Sequence, residues 1–248
     1  MTETALEVDR VSKVFGGLRA VDDVSLAVER GERRVLIGPN GAGKTTLFHC
    51  ITGTLRPTAG RVSLFGSDVT GLVEPERTAR GMGRTFQISN VFTELAVIEN
   101  LALAILGTDR RKWTIHRTLD AFPQVRAQAL EALAMVGLEG RAERRVAELS
   151  YGERRQLELA LALKTEPKVL FLDEPCAGLS PSERQRISQL IGALPRDITL
   201  LMIEHDMDVA LALADRVTVL HRGKVIVEGS PDEVQADATV REVYFGHV

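Results

Sequence analysis

The chain has 248 residues, 44% hydrophobic and 26% charged, with a formal net charge of −3. That is enough length and apolar content for one large core or two small ones, and the near-balanced, interspersed charge gives no reason to expect a nucleic-acid partner. The two cysteines, Cys50 and Cys176, lie far from any CxxC or Cys/His cluster, which argues against a disulfide framework or a zinc site and for buried packing.

The opening "MTETALEVDRVSK" carries acidic residues and no apolar h-region, so no signal peptide is expected. Apolar runs such as Leu101 to Leu106 fall far short of the roughly 18 residues a membrane span needs. Any membrane association is expected to run through a partner. The first third reads as short strands, "LEVDRVSKVF", "DVSLAVE", "RRVLIG" and "GRVSLFG", each bounded by glycine or charged turns. From about Val97 to Lys164 the apolar spacing turns helical, with a break at Pro123 and a glycine stop in "VGLEG", Val136 to Gly140. This stretch reads as a helical insert. Within it, "LSYGE" starts a helix: Ser150 as N-cap and Glu153 three residues on predict a capping box.

Two compact apolar runs follow, "KVLFLDEP" and "ITLLMIEHD", each too short for a core helix and read as buried parallel strands. Between them "SPSERQRISQLIGAL" is a helix opened by Ser180 and Pro181, giving the strand–helix–strand unit of an α/β domain. The tail, "RVTVLHRGKVIVEGSPDEV", predicts a hairpin turning at Arg222-Gly223 and then a short helix. No repeat, low-complexity tract or flexible linker interrupts the chain.

The most informative segment is "GPNGAGKTT", Gly38 to Thr46, after the strand "RRVLI" and before a helix. It has the form G-x-x-x-x-G-K-[ST] in the strand–loop–helix setting that form requires. Glycines let successive backbone N–H groups point inward, and the helix N-terminus adds its positive dipole end, so the loop suits a polyphosphate. Lys44 is expected at the β- and γ-phosphates, and Thr45 on Mg²⁺. In "VLFLDEP", alternation along the strand keeps Asp173 and Glu174 from sharing a role. Asp173 is the natural partner of the metal, and Glu174, at the strand exit, the general base for water; taken alone, the pair reads better as an acidic turn at a strand end.

Taken together, these segments resemble the ATP-binding subunits of ABC transporters over essentially the whole chain. "GPNGAGKTT" resembles Walker A, with Asn40, Gly41, Ala42, Gly43, Lys44, Thr45 and Thr46 as ATP contacts; "RTFQ" places Gln87 as the Q-loop glutamine, a metal and γ-phosphate sensor. "LSYGE" resembles the signature motif, "VLFLDEP" Walker B, and "GLSP" (Gly178 to Pro181) the D-loop; "IEHD" places His205 as the switch histidine, and Phe15 stands where the family stacks adenine. Singly, Gln87, His205 and Phe15 read as surface, structural and core residues; their joint order carries the resemblance.

The resemblance implies a P-loop NTPase (RecA-like) core with an N-terminal antiparallel β-subdomain and an inserted helical subdomain. The chain would be one domain, 1–248, with 1–90 and 165–248 forming the β-subdomain and core and 91–164 the helical subdomain. "RTFQ", "VIENL", "GLSP", "IEHDM" and the ending "VREVYFG" look most like the ATPases of branched-chain amino-acid importers; lipopolysaccharide-export ATPases share the general build, and a non-transport ABC ATPase is a further alternative.

The implied cofactors are ATP and Mg²⁺. The implied partners are a second ATPase subunit, identical or paralogous, two integral membrane permease subunits and, indirectly, an extracytoplasmic binding protein. The implied place is the cytoplasmic face of the cell membrane. In that family the signature segment serves the other subunit's nucleotide, so Ser150, Gly152 and Glu153 are candidates for ATP in trans. Two departures from the commoner LSGGQ form stand out: Tyr151 replaces a glycine and Glu153 a glutamine. A carboxylate beside ATP is repelled, so Glu153 is expected to stay with its cap or a basic neighbour such as Arg154. Val91, Phe92 and Leu95, after the Q-loop, are candidates for the membrane-subunit contact or for helical core. "RRKW", Arg110 to Trp113, reads as a solvated face, with a lipid contact as the alternative.

Overall fold

The computed structural model describes residues 3–85, 91–108 and 122–245. Gln87 and the Arg110–Trp113 run lie outside the described residues. In chain order the elements are β1 (Thr4–Phe15), β2 (Leu18–Glu29), β3 (Arg33–Ile37), α1 (Lys44–Thr52), β4 (Ala59–Leu64), β5 (Ser67–Asp68), α2 (Glu74–Thr78) and β6 (Met82–Arg84). After these come α3 (Val97–Thr108), α4 (Pro123–Val136), α5 (Tyr151–Lys164), β7 (Val169–Asp173), α6 (Pro181–Gly192) and β8 (Thr199–Ile203). The last are α7 (Met207–Leu213), β9 (Arg216–His221), β10 (Lys224–Gly229), α8 (Pro231–Ala236) and α9 (Ala238–Phe245).

The described residues fall into two compact units. The first comprises residues 1–84, 168–174 and 194–248 and holds both sheets. One sheet is antiparallel in the order β2-β1-β4-β5; the other runs β10-β9-β3-β8-β7-β6. In the second sheet β3, β6, β7, β8 and β9 are mutually parallel, and β10 pairs antiparallel with β9 across the predicted Arg222-Gly223 turn. β3, β7 and β8 are buried at every position, which explains the apolar runs 35–37, 169–172 and 200–203 that make up most of them. Their C-terminal ends lie side by side and carry the phosphate loop, Glu174 and His205, as expected for a parallel sheet whose chemistry sits at its carboxyl edge.

The helix α1 is seated by Leu47, Phe48 and Ile51, all fully buried, each contributing about 1.5–3 kcal/mol of burial. Phe48 meets Phe171 of β7 edge-to-face, centroids 5.6 Å apart. Buried Arg77 closes the other end of α1: its guanidinium donates to the carbonyls of Cys50 at 3.1 Å and Ile51, and also to Leu72 and Thr70. A cation thus satisfies last-turn carbonyls where the helix dipole is negative. Cys50 is buried in this core and burial pushes its thiol up to about 11, so it is inert packing; Cys176 is likewise buried.

The second unit, residues 85–167 and 175–193, packs α3, α4, α5 and α6. α4 begins at the predicted Pro123 and stops at Gly137, which takes the left-handed conformation (φ 71). Asn100 ties down the turn before α3: its Oδ1 accepts from the Phe92 N–H at 2.8 Å, and its Nδ2 donates to the carbonyls of Phe92 and Ala96. Phe92 is left 61% exposed, while Val91 and Leu95 are half-buried. Among the described residues no helix is long and apolar enough to cross a membrane.

Candidate nucleotide site

The phosphate loop leaves β3 at Ile37 and enters α1 at Lys44. Gly38 (φ 153) and Gly43 (φ 100) cannot be replaced: a Cβ would lie 2.2 Å from the Leu220 carbonyl oxygen at the first and 2.4 Å from that of Ala20 at the second. The loop is buttressed from far downstream, where the Gly223 N–H donates to the Ala42 carbonyl (2.9 Å) and the Gly223 carbonyl accepts from the Asp22 N–H (2.8 Å). Gly43 caps α1 with no side-chain hydrogen bond, so no side chain competes for the helix's first N–H groups.

Lys44 is buried and curls back, its Nζ donating to the carbonyls of Gly38 (2.6 Å) and Pro39 (3.2 Å). Burial pushes its pKa down, and the nearby charges of Glu174 and Asp173 push it back up. These three side chains therefore share one electrostatic neighbourhood. Asp173 ends β7, 1% exposed, with the Arg84 guanidinium 3.9 Å from its Oδ2. Glu174 departs from strand geometry altogether. Its φ is 47 and its N–H is held by the Ile203 carbonyl at 3.0 Å. The two carboxylates are thus set apart by this left-handed turn rather than by strand alternation, and strain of this kind collects at functional sites. His205 Nδ1 stands 3.8 Å from Glu174 Oε2.

An open cleft of about 470 Å³ runs along the loop, lined by Asn40, Gly41, Ala42, Gly43, Lys44, Thr45, Thr46 and Glu174, with Leu18, Arg19, Ala20, Arg222 and Gly223 on its other wall. That second wall was not visible from sequence: β2's start and the β9–β10 turn reach the loop only through the sheets. Phe15 stands just before this wall, 46% exposed with Lys13 Nζ 5.1 Å over its ring, but is not among the cleft's lining residues. A larger cleft, about 520 Å³, lies around Arg34 and Glu32. Its charges are engaged with one another, Arg34 pairing with Glu32 at 2.6 Å and Glu228 at 2.7 Å, so the loop cleft is the candidate for an anionic ligand. A loop with two glycines that admit no Cβ, a helix start without a side-chain cap, and a buried lysine beside two carboxylates fit a triphosphate with a divalent cation.

In the second unit, Ser150 caps α5 as predicted: its Oγ accepts from the Glu153 N–H at 3.1 Å, and Glu153 Oε2 accepts from the Ser150 N–H at 2.9 Å. The basic neighbour of Glu153 is Arg141 (2.8 Å), not Arg154, which donates to the Ala147 carbonyl instead. Adjacent residues on a helix do not face each other, which is why Arg154 cannot serve. The Ser150 N–H first, and then Arg141, hold the Glu153 carboxyl below its usual value of 4.5. Tyr151 is 47% exposed, its hydroxyl accepting from Arg155 at 2.9 Å.

The ABC transporter family matches residues 21–177, and the branched-chain amino acid ATP-binding cassette transporter family matches residues 224–248. The chain is 38% identical to the high-affinity branched-chain amino acid transport ATP-binding protein LivG of Salmonella typhimurium, over 99% of each chain. Among solved structures it is similar to MJ1267, an ATP-binding cassette of an ABC transporter in its ADP conformation, with TM-score 0.87, 32% identity and coverage of 99% and 100%. It is also similar to the dimeric post-hydrolysis state of the cassette MJ0796 bound to ADP and Pi, with TM-score 0.77, 27% identity and coverage of 91% and 98%.

Proposed function

The chain belongs to the ABC transporter family as an ATP-hydrolysing cassette, and we propose that it energises uptake of branched-chain or related amino acids through separate membrane subunits. The observation that carries the nucleotide-hydrolysing part of this reading is the placing of Lys44 and Glu174 in one glycine-lined cleft, with buried Asp173 close enough to act on the Lys44 charge. The importer assignment is supported by the relatives' names and by the tail segment 224–248.

The phosphates of ATP would lie in the loop, contacting the N–H groups of Asn40 to Thr46, with Lys44 turning from the Gly38 and Pro39 carbonyls to the β- and γ-phosphates. Thr45, Asp173 and Gln87 would hold Mg²⁺, which neutralises charge on the phosphates. Glu174 accepts a proton from the water whose oxygen bonds to the γ-phosphorus as the bond to ADP breaks. His205, 3.8 Å from that carboxylate, positions it. Phe15 is the candidate adenine platform. The site is completed by a second copy or a paralogue, whose Ser150 and Gly152 would donate to the γ-phosphate from the start of α5, where the dipole favours an anion.

Ser150→Ala is expected to weaken ATP-driven dimerisation by about tenfold, the scale of one hydrogen bond to a charged group. Glu153→Gln, which keeps the capping box, is expected to leave it within about twofold. Titrating dimer against ATP by light scattering separates them; loss of dimerisation in Glu153→Gln alone would assign the carboxylate to ATP rather than to the cap. Outward-facing Phe92, held by Asn100, with Val91 and Leu95 beside it, is the proposed contact with the membrane subunits at the cytoplasmic face of the membrane. Purification from native membranes tests the reading: integral membrane proteins are expected to come with the chain, whereas recovery only with ribosomes or DNA would point to a non-transport ABC ATPase.

A further inference from the structure

The two donors assigned above to a second copy's γ-phosphate are already engaged by a carboxylate of their own unit. Glu183 Oε1 accepts from the Gly152 N–H at 3.1 Å and from Ser150 Oγ at 3.3 Å. Its Oε2 accepts from the Ser180 N–H at 3.1 Å and from Ser180 Oγ at 2.7 Å. One carboxylate thus bridges the starts of α5 and α6, one oxygen on each, where both dipoles favour negative charge. It presses directly on Gly152: a Cβ there would come within 2.5 Å of Oε1 and 2.7 Å of Cδ.

Neither helix requires this bridge. α5 has its own capping box in Ser150 and Glu153, and the box of α6 is complete with Glu183 Oε2 alone. The bonds made by Oε1 are additional. Each of the two donors carries a single hydrogen, so carboxylate and phosphate compete for the same bonds, and their charges repel.

We propose that Glu183 is an internal stand-in for the partner's γ-phosphate, occupying the Ser150 and Gly152 donors in the single chain and swinging away before a second copy's ATP can be held there. The proposal rests on the reading that the start of α5 receives that phosphate. Glu183 then sets how much ATP is needed to join two copies. It also favours triphosphate over diphosphate, because ADP brings no γ-phosphate to displace it.

The test uses the full chain carrying Glu174→Gln, which leaves ATP uncleaved, and reads the fraction of dimer against Mg-ATP concentration by size exclusion with light scattering. Glu183→Gln in that background keeps the S-x-x-E/Q capping box, so α6 stays formed. It is expected to lower the ATP concentration at half-dimerisation by about tenfold, the scale of one relieved charge contact in a partly exposed site. Glu183→Ala is expected to shift the curve the same way. An unchanged or higher concentration for both variants overturns the proposal. Ser150→Ala in the same background tells which idea failed. If it dimerises as readily as its parent, or the parent never dimerises with ATP, the reading of α5 falls and the proposal with it. If Ser150→Ala is impaired while the Glu183 variants show no gain, only the stand-in role is lost.

Discussion

Glu174→Gln is expected to abolish ATP turnover while leaving ATP binding in place. The residue follows the last position of β7 in a left-handed conformation, φ 47, fixed by the Ile203 carbonyl, so the backbone rather than the strand aims its carboxylate at the rim of the cleft that Lys44 and Thr45 line. Glutamine has the same shape but cannot accept the proton of water. A positioned general base contributes about 10²- to 10⁴-fold, and kcat is expected to fall by that factor with the ATP dissociation constant unchanged within about twofold. Phosphate release and titration calorimetry read the two quantities separately. Turnover at the unmodified rate would remove Glu174 from the chemistry.

Lys44→Ala is expected to act one step earlier, on binding. The ammonium is buried beside Asp173 and Glu174 and makes two bonds to loop carbonyls, which it exchanges for bonds to the phosphates when ATP enters the loop. A hydrogen bond to a charged group contributes about 1.5–3 kcal/mol, which corresponds to roughly 10- to 100-fold weaker ATP binding. Calorimetric titration with ATP measures it, with circular dichroism confirming that the two sheets remain. Undiminished affinity would mean that the loop amides hold the nucleotide without the lysine.

Where the signal is local, the sequence was a sufficient guide. The compact apolar runs became β7 and β8, Ser150 with Glu153 became the cap of α5, Ser180 and Pro181 opened α6, and the Arg222-Gly223 turn joined β9 to β10. Short elements were harder. β6, at Met82–Arg84, is a strand only because β7 lies beside it, and α7 has too few turns for a readable period.

Within the candidate site, the motif residues were legible because strand, glycine loop and helix follow one another in the chain. The opposite wall was not, because Leu18, Arg19 and Arg222 meet the loop only through tertiary packing. Glu183 shows the same limit: its spacing from Ser180 announces a cap, but nothing along the chain says that its other oxygen reaches Gly152.

The central claim is that ATP cleavage at Glu174 in this chain powers amino-acid uptake. The most direct measurement is uptake of radiolabelled leucine by cells lacking the chain and supplied either with it or with Glu174→Gln. Uptake is expected to be restored by the unaltered chain and to stay at the deletion level with Glu174→Gln. Uptake that persists without the chain, or is restored equally by both, would contradict the account.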